Sequence, residues 1–323
     1  MKFNSVVIFV ILVTSSVSAQ FGIQQHVKCG QDKAGKLIEM EPESYKMYKI
    51  CVNPQKSETY FVYHKLGYRF KNHRKDLNDE VCFLNRSLQT TEYSRVIDVF
   101  DKKRNREYFD RKDLKKNLHF SPFQFAPCED FSDPQEKLAT FFVENTAPGF
   151  DRILKGNWAF VEKTVRNRIT EETEIITGQF GQLRLLNKNG ANVNIVLEDS
   201  MVGQTKNSKQ PYNEVKVPEF FYKIVKNSKD SYVMITSNNP FISSLSDDKR
   251  LCKVDLCEHP LRFKDFFMGY TYCCTLKEFT KNLKLHHNID FAGIISPSTE
   301  DYVEQDLVER DGNHEGQKMI DLI

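Results

Sequence analysis

Phe123-Gln124-Phe125-Ala126-Pro127-Cys128-Glu129-Asp130-Phe131 is the stretch on which the reading of this chain turns. Ala139-Thr140-Phe141 and Gly156-Asn157-Trp158-Ala159-Phe160-Val161-Glu162 follow it. Between the first two, Asp133-Pro134-Gln135-Glu136 offers an N-cap, a proline at the first helical position and a glutamate at the third. It predicts a helix to about Phe142. A second helix is predicted from about Asn157 to Arg168, because Trp158, Val161 and Val165 share one apolar face at helical spacing. A third is predicted over Leu276–Leu285. Runs rich in β-branched and aromatic residues predict strands at Thr59–His64, Thr173–Thr177, Val193–Leu197, Val217–Val225 and Tyr232–Thr236. Gly178, Gly181 and Asn189-Gly190 are expected to mark turns between them. Short strands with few helices predict an α+β domain built on a central antiparallel sheet flanked by helices.

The ends of the 323-residue chain differ from its body. Lys2, the apolar run Val6–Val13 and the small residues of Val17-Ser18-Ala19 describe a secretory signal peptide over residues 1–19. That run is too short to span a bilayer, and no later segment is apolar enough, so no membrane association is expected. Residues 20–296 are expected to form one domain. Residues 297–323 carry eight acids against two bases and are expected to be an acidic, disordered tail. The formal net charge is +2, so the body is basic, a pattern common in polyanion binders.

All eight cysteines follow Ala19, and an even count in a secreted chain predicts disulfides. A metal site at Cys252-x4-Cys257, His259 and Cys273-Cys274 is the competing reading, but the spacing fits no common zinc pattern. Asn85-Arg86-Ser87 is the chain's one N-glycosylation sequon, with Asn85 as acceptor.

Taken in order, the opening stretches resemble the DNA/RNA non-specific endonucleases of the ββα-metal (His-Me finger) class. Further landmarks resemble the arthropod branch of that family: Ile176-Thr177-Gly178-Gln179-Phe180-Gly181, Val217–Val225, Asn238-Asn239-Pro240, Cys252-x4-Cys257 and Gly269–Cys274. The resemblance covers roughly Ile50 to Leu285. It implies the ββα-metal fold and a machinery of four parts. A histidine takes a proton from water. One Mg²⁺, held by an asparagine and waters, stabilises the leaving oxygen. A glutamate places the metal's water shell, and arginines neutralise phosphate.

This sequence departs from that pattern at two points. The family's Arg-Gly-His is replaced by Pro122-Phe123-Gln124, so the general-base position falls on Gln124. A glutamine amide orients water but is not basic near neutral pH. The Mg²⁺-ligand asparagine is replaced by Leu154, and Gly149 stands where the family has glutamine. Glu162, a candidate for the metal's outer shell, and Arg166, for phosphate, match the family and lie one helical turn apart. Asn157 is expected to cap or pack the helix. A competing alignment makes His119 the base, at the cost of an insertion.

Upstream, Lys102, Lys103, Arg104, Arg106, Arg111, Lys112, Lys115 and Lys116 stand against three acids, with Tyr108 and Phe109 among them. Such a run is suited to phosphate neutralisation and base stacking. The sequence therefore points to a secreted nuclease-fold protein that binds DNA or RNA without sequence preference and has lost most or all cleavage. Secreted salivary members of the family in blood-feeding flies are the precedent. No cofactor is expected, other than Mg²⁺ if activity persists. The alternatives are a weak Mg²⁺-dependent nuclease, and a salivary or gut protein binding a host protein or sulfated glycan through the same basic face.

Overall fold

The computed structural model describes residues 28–29, 35–40, 48–53, 58–67, 82, 118–186, 190–198, 214–257, 261–291 and 294–295. Residues 1–19, expected to be a signal peptide, Asn85, the basic run Lys102–Lys116 and residues 297–323, expected to be an acidic tail, lie outside them. Among the described residues no helix is long and apolar enough to cross a membrane.

Eight strands form one antiparallel sheet. Along the chain they are β1 (Lys28–Cys29), β2 (Gly35–Met40), β3 (Tyr48–Asn53), β4 (Glu58–Leu66), β7 (Thr173–Phe180), β12 (Phe220–Lys226), β13 (Ser231–Ser237) and β14 (Thr271–Cys274), paired in that order. Three two-stranded ribbons accompany it: β5 (Phe120–Gln124) with β6 (Thr146–Phe150), β8 (Arg184–Leu186) with β9 (Asn192–Asn194), and β10 (Val196–Glu198) with β11 (Glu214–Lys216). Helices α1 (Pro134–Ala139), α2 (Ala159–Arg168) and α3 (Leu276–His287) complete the described fold.

The sheet is covered on both sides, so its central strand β12 is buried at every position. Alternation then sorts its side chains between two cores. Phe221 and Val225 meet Trp158, Val161 and Val165 of the α2 side. Phe220, Tyr222 and Ile224 meet Phe279 and Leu283 of α3. The start of α1 is capped as the sequence predicts, and the start of α3 is capped as well. The Asp133 carboxylate accepts from the Glu136 amide at 3.2 Å, and the Thr275 hydroxyl accepts from the Glu278 amide at 3.2 Å.

All eight cysteines are paired: Cys29–Cys51, Cys82–Cys128, Cys252–Cys274 and Cys257–Cys273. The expectation of staples rather than a metal site holds. The bridge from Cys82 to Cys128 spans 46 positions, and chain-entropy reasoning gives it about 4 kcal/mol.

Three local expectations need correction. Val193–Leu197 is broken at Ile195, whose amide bonds to the Leu183 carbonyl at 2.9 Å. The first helix stops at Ala139, short of Phe142. Gly178 is not a turn. It lies inside β7 opposite Tyr222 and Phe61, and glycine is required there by space rather than by backbone angle. A Cβ at this position would stand 2.6 Å from the Tyr60 carbonyl and closer still to the Tyr222 hydroxyl. Gly181 and Gly190 do form turns, with φ of 73° and 76°.

Gly178→Ala is therefore expected to destabilise the protein by about 3 kcal/mol, as overpacking of a fixed core does. Gly190→Ala, with no atom of the described residues within 4 Å, meets the backbone penalty of about 1–2 kcal/mol. Denaturant midpoints of the two variants test the order.

Candidate functional site

The site begins with the β5–β6 ribbon, in which Phe120 pairs with Phe150 and Gln124 with Thr146. The chain leaves β6 at Phe150 and enters a helical turn at Asp151–Ile153. It then takes a wide turn over Leu154–Trp158 and continues as α2. Gly156 kinks this path with φ −92° and ψ −120°. No side chain fits there, since a Cβ would lie 2.6 Å from the Met268 carbonyl. The ribbon is pinned to the sheet by Phe123, which stacks on Phe221 at 4.1 Å and meets Trp158 at 5.0 Å.

Because Phe123 points inward, Gln124 points away from that core. Its amide nitrogen donates to the Thr140 carbonyl at 3.1 Å, and its oxygen accepts from the Cys128 amide at 3.4 Å. Asn145 closes the same loop. Its oxygen accepts from the Ala126 amide at 2.9 Å, and its nitrogen donates to the carbonyls of Ala126 and Thr140 at 2.9 and 2.7 Å.

Leu154 lies in the wide turn, against Gly149. A Cβ on residue 149 would come within 2.7 Å of Leu154 Cδ2, so the glycine makes room for the leucine. The two departures from the family pattern at these positions are one packing arrangement. Asn157 packs the helix start, fully buried. Its nitrogen donates to the carbonyls of Arg262 and Gly269, both at 2.7 Å, and its oxygen accepts from Arg262 at 3.3 Å.

Glu162 and Arg166 share a face of α2, as expected, with nitrogen and oxygen 4.0 Å apart. Neither stands alone. Trp158 Nε1 donates to Glu162 at 3.0 Å. Arg166 donates to Asp130 at 2.9 Å, and the other Asp130 oxygen accepts from His64 Nε2 at 2.9 Å. Lys223, from β12, donates to Thr177 at 2.8 Å and lies 5.5 Å from the Trp158 ring. Burial raises the Asp130 carboxyl, but the His64 hydrogen bond and the positive charges around it outweigh that and hold it at about 2. Burial lowers His64, against the pull of the Asp130 carboxylate on its Nε2, and its Nδ1 has no hydrogen-bond partner among the described residues. Lys223 is lowered by burial. Burial pushes Glu162 up to about 7, against the pull of Lys223 and Arg166.

These donors do not fit a hard cation. Mg²⁺ seeks oxygens. Leu154 has none, Gln124 and Asn157 are engaged with backbone, and Glu162 resists ionisation. Among the described residues no group of three or more His, Cys, Asp or Glu is arranged to hold a metal.

His64 and Lys223 are the members that sequence reasoning missed. Their signal was parity: Lys223 alternates with Phe221 and Val225, so it faces α2, and His64 shares a face with Val62. His119, the competing base, lies before β5, where its carbonyl accepts from the Asp151 amide at 2.9 Å.

Ribbon, kinked helix and antiparallel sheet together make a ββα arrangement on an α+β scaffold. Residues 35–279 match the model of the DNA/RNA non-specific endonuclease family, and the chain belongs to that family. It is 30% identical to a salivary endonuclease of Lutzomyia longipalpis over 185 residues, 53% of this chain and 41% of that protein. It is 26% identical to salivary protein Tsal1 of Glossina morsitans morsitans over 243 residues, 71% of this chain and 57% of that protein. The chain thus spans about half the length of these curated relatives. A crystal structure of the EndoG/EndoGI complex shows a slighter likeness, with 16% identity, a TM-score of 0.37, and 61% of this chain and 74% of that one covered.

Two expectations follow from the buried cluster. Asp130→Asn leaves Arg166 without its counter-charge and is expected to cost about 3–5 kcal/mol in denaturant unfolding. A loss below about 1 kcal/mol would mean that Arg166 reaches solvent instead. Glu162→Gln keeps an oxygen for Trp158 and removes the titration. With a folded pKa near 7 and an ordinary value near 4.5, the unfolded chain ionises first as pH rises. The wild type thus loses stability, relative to the variant, between those two values and not above. The Tm difference, variant minus wild type, is expected to grow from pH 5 to 7 and then level off.

Proposed function

We propose that this chain is a secreted nuclease-fold protein that holds DNA and RNA without sequence preference and cleaves them slowly or not at all. One observation carries the reading. The two positions that the family resemblance assigns to general base and metal ligand are occupied by an amide engaged with its own loop, Gln124, and by a packed alkyl group, Leu154. Loss of a general base alone costs about 10²–10⁴-fold in rate. Loss of the ligand oxygen removes the means of holding the cation beside it.

The binding half of the proposal rests on charge. Arg166 is buried against Asp130, which favours placing the phosphate contacts on the exposed cations and on the run Lys102–Lys116. Basic side chains of that kind give salt-dependent, sequence-tolerant affinity. Four disulfides favour an oxidising compartment. Salivary relatives and the leader ending at Ala19 support secretion, with residues 20–296 as the domain and 297–323 as an acidic tail.

The test is incubation of the purified chain with plasmid DNA and with RNA, in Mg²⁺ and in chelator, read on gels for retardation and for cleavage. Retardation without cleavage is expected. The Gln124→His, Leu154→Asn double variant is expected to exceed both single variants in cleavage, because base and metal act on one transition state. Steady degradation by the native chain, stopped by chelator and by His119→Ala, would overturn the proposal.

A further inference from the structure

The loop Leu261–Gly269 is strapped across the start of the helix that carries Leu154. Met268 covers Gly156, Ile153 lies against Gly269, and Asn157 holds the carbonyls of Arg262 and Gly269. Two cation–aromatic pairs bridge the same two segments in opposite senses. Arg152 of the helix start lies 4.2 Å from the ring centroid of Phe267 in the loop. Arg262 of the loop lies 4.4 Å from the ring centroid of Phe160 in α2.

Arg262 is exposed, yet it is held in place. Its Nε donates to Asn157 at 3.3 Å and one terminal nitrogen to the Gly156 carbonyl at 3.4 Å, while its guanidinium carbon lies over the Phe160 ring. An exposed arginine normally has much rotamer freedom to lose on binding, about 2 kcal/mol. Here that freedom is already lost, which preorganises the guanidinium for a ligand. Lys155 and Lys264 flank the pairs, their side chains 68% and 50% exposed. Each makes one ion pair, Lys155 with the buried Asp151 at 2.9 Å and Lys264 with Asp255 at 3.5 Å, while its own ammonium stays open to solvent.

We propose that this reciprocal Arg–Phe array beside Leu154 is a platform for single-stranded nucleic acid, on which unpaired bases stack while Lys155 and Lys264 meet the phosphates. The proposal rests on the nucleic-acid reading above and names the strand form that this face takes. Guanidinium planes and half-buried phenyl rings present π faces to unpaired bases, which a closed duplex does not offer.

Fluorescence anisotropy with a labelled 20-nucleotide oligothymidine, and with the same strand paired to oligoadenine, tests it across a salt series. For the Arg152→Gln, Arg262→Gln double variant, affinity for oligothymidine is expected to fall about tenfold, the contribution of one stacked base. The slope of log affinity on log salt is expected to flatten by about 1.4, two phosphate contacts at about 0.7 each, in Lys155→Gln with Lys264→Gln, and to stay unchanged in the arginine variant. Duplex affinity should change less than twofold. Arg152→Lys with Arg262→Lys keeps both charges and guards against misfolding; it should preserve the slope while losing affinity. Unchanged oligothymidine binding in the folded double variant overturns the platform and leaves the broader reading standing. An equal loss on duplex overturns its strand preference. Loss of heparin binding alone would assign the face to sulfated glycan and overturn it. Absence of all nucleic-acid binding by the native chain would remove both readings.

Discussion

Asp130 joins three parts of the fold that are far apart in sequence. One carboxylate oxygen holds His64 of β4 and the other holds Arg166 of α2, while Asp130 itself ends the turn that follows β5. A buried carboxylate with partners on both sides fixes the rotation of α2 over the sheet, because any other rotation strands a charge. The segment around it is tethered by further polar contacts. The Tyr48 hydroxyl donates to the Ala139 carbonyl at 2.5 Å, Thr59 donates to the Glu144 carbonyl at 2.6 Å, and Cys128 is bridged to Cys82. The ribbon–helix unit is thus positioned by groups other than Gln124 and Leu154.

That separation makes substitution at the two positions inexpensive for the fold. Exchanging Gln124 disturbs one loop, which Asn145 holds independently. Leu154 fits because residue 149 has no side chain. A larger residue at 149 would need a smaller one at 154, so the two are coupled by volume and are not independent changes. Asn157, one turn further on, is tied to the loop beyond α2 and has no freedom to replace a ligand at 154.

The sequence made visible whatever depends on neighbours in the chain. The cap at Asp133, the apolar stripe of Trp158, Val161 and Val165, and the strands β4, β7, β12 and β13 all follow local rules. Gly178 was misread because its glycine answers to Tyr222 on the next strand, a contact that no local pattern carries. The pairing of the cysteines likewise depends on sheet order, as Cys273 and Cys274 point to opposite faces and take different partners. In the site, Glu162 and Arg166 were legible as a helical pair. Their real partners, Asp130, His64 and Lys223, lie on other elements. Read alone, Arg166 was a phosphate ligand; in the fold it is the counter-charge of Asp130.

The inner and outer cations of this face consequently have different uses. Lys223 is buried and held by Thr177, and Arg166 is paired with Asp130, so an incoming phosphate would have to break buried bonds to reach either. The charge of Arg166 is already balanced by Asp130 in a buried region that water screens little. Arg152, Lys155, Arg262 and Lys264 lie closer to solvent; the two arginines lie against aromatic rings, Arg262 also bonding Asn157 and the Gly156 carbonyl, and the two lysines each pair with a carboxylate. An anion approaching this side of the molecule therefore gains more from the rim of the site than from its interior. A nuclease needs the reverse, since charge must be stabilised at the reacting phosphate and not beside it. On the proposed reading, the interior braces the fold and the attraction for polyanions belongs to the surface around it.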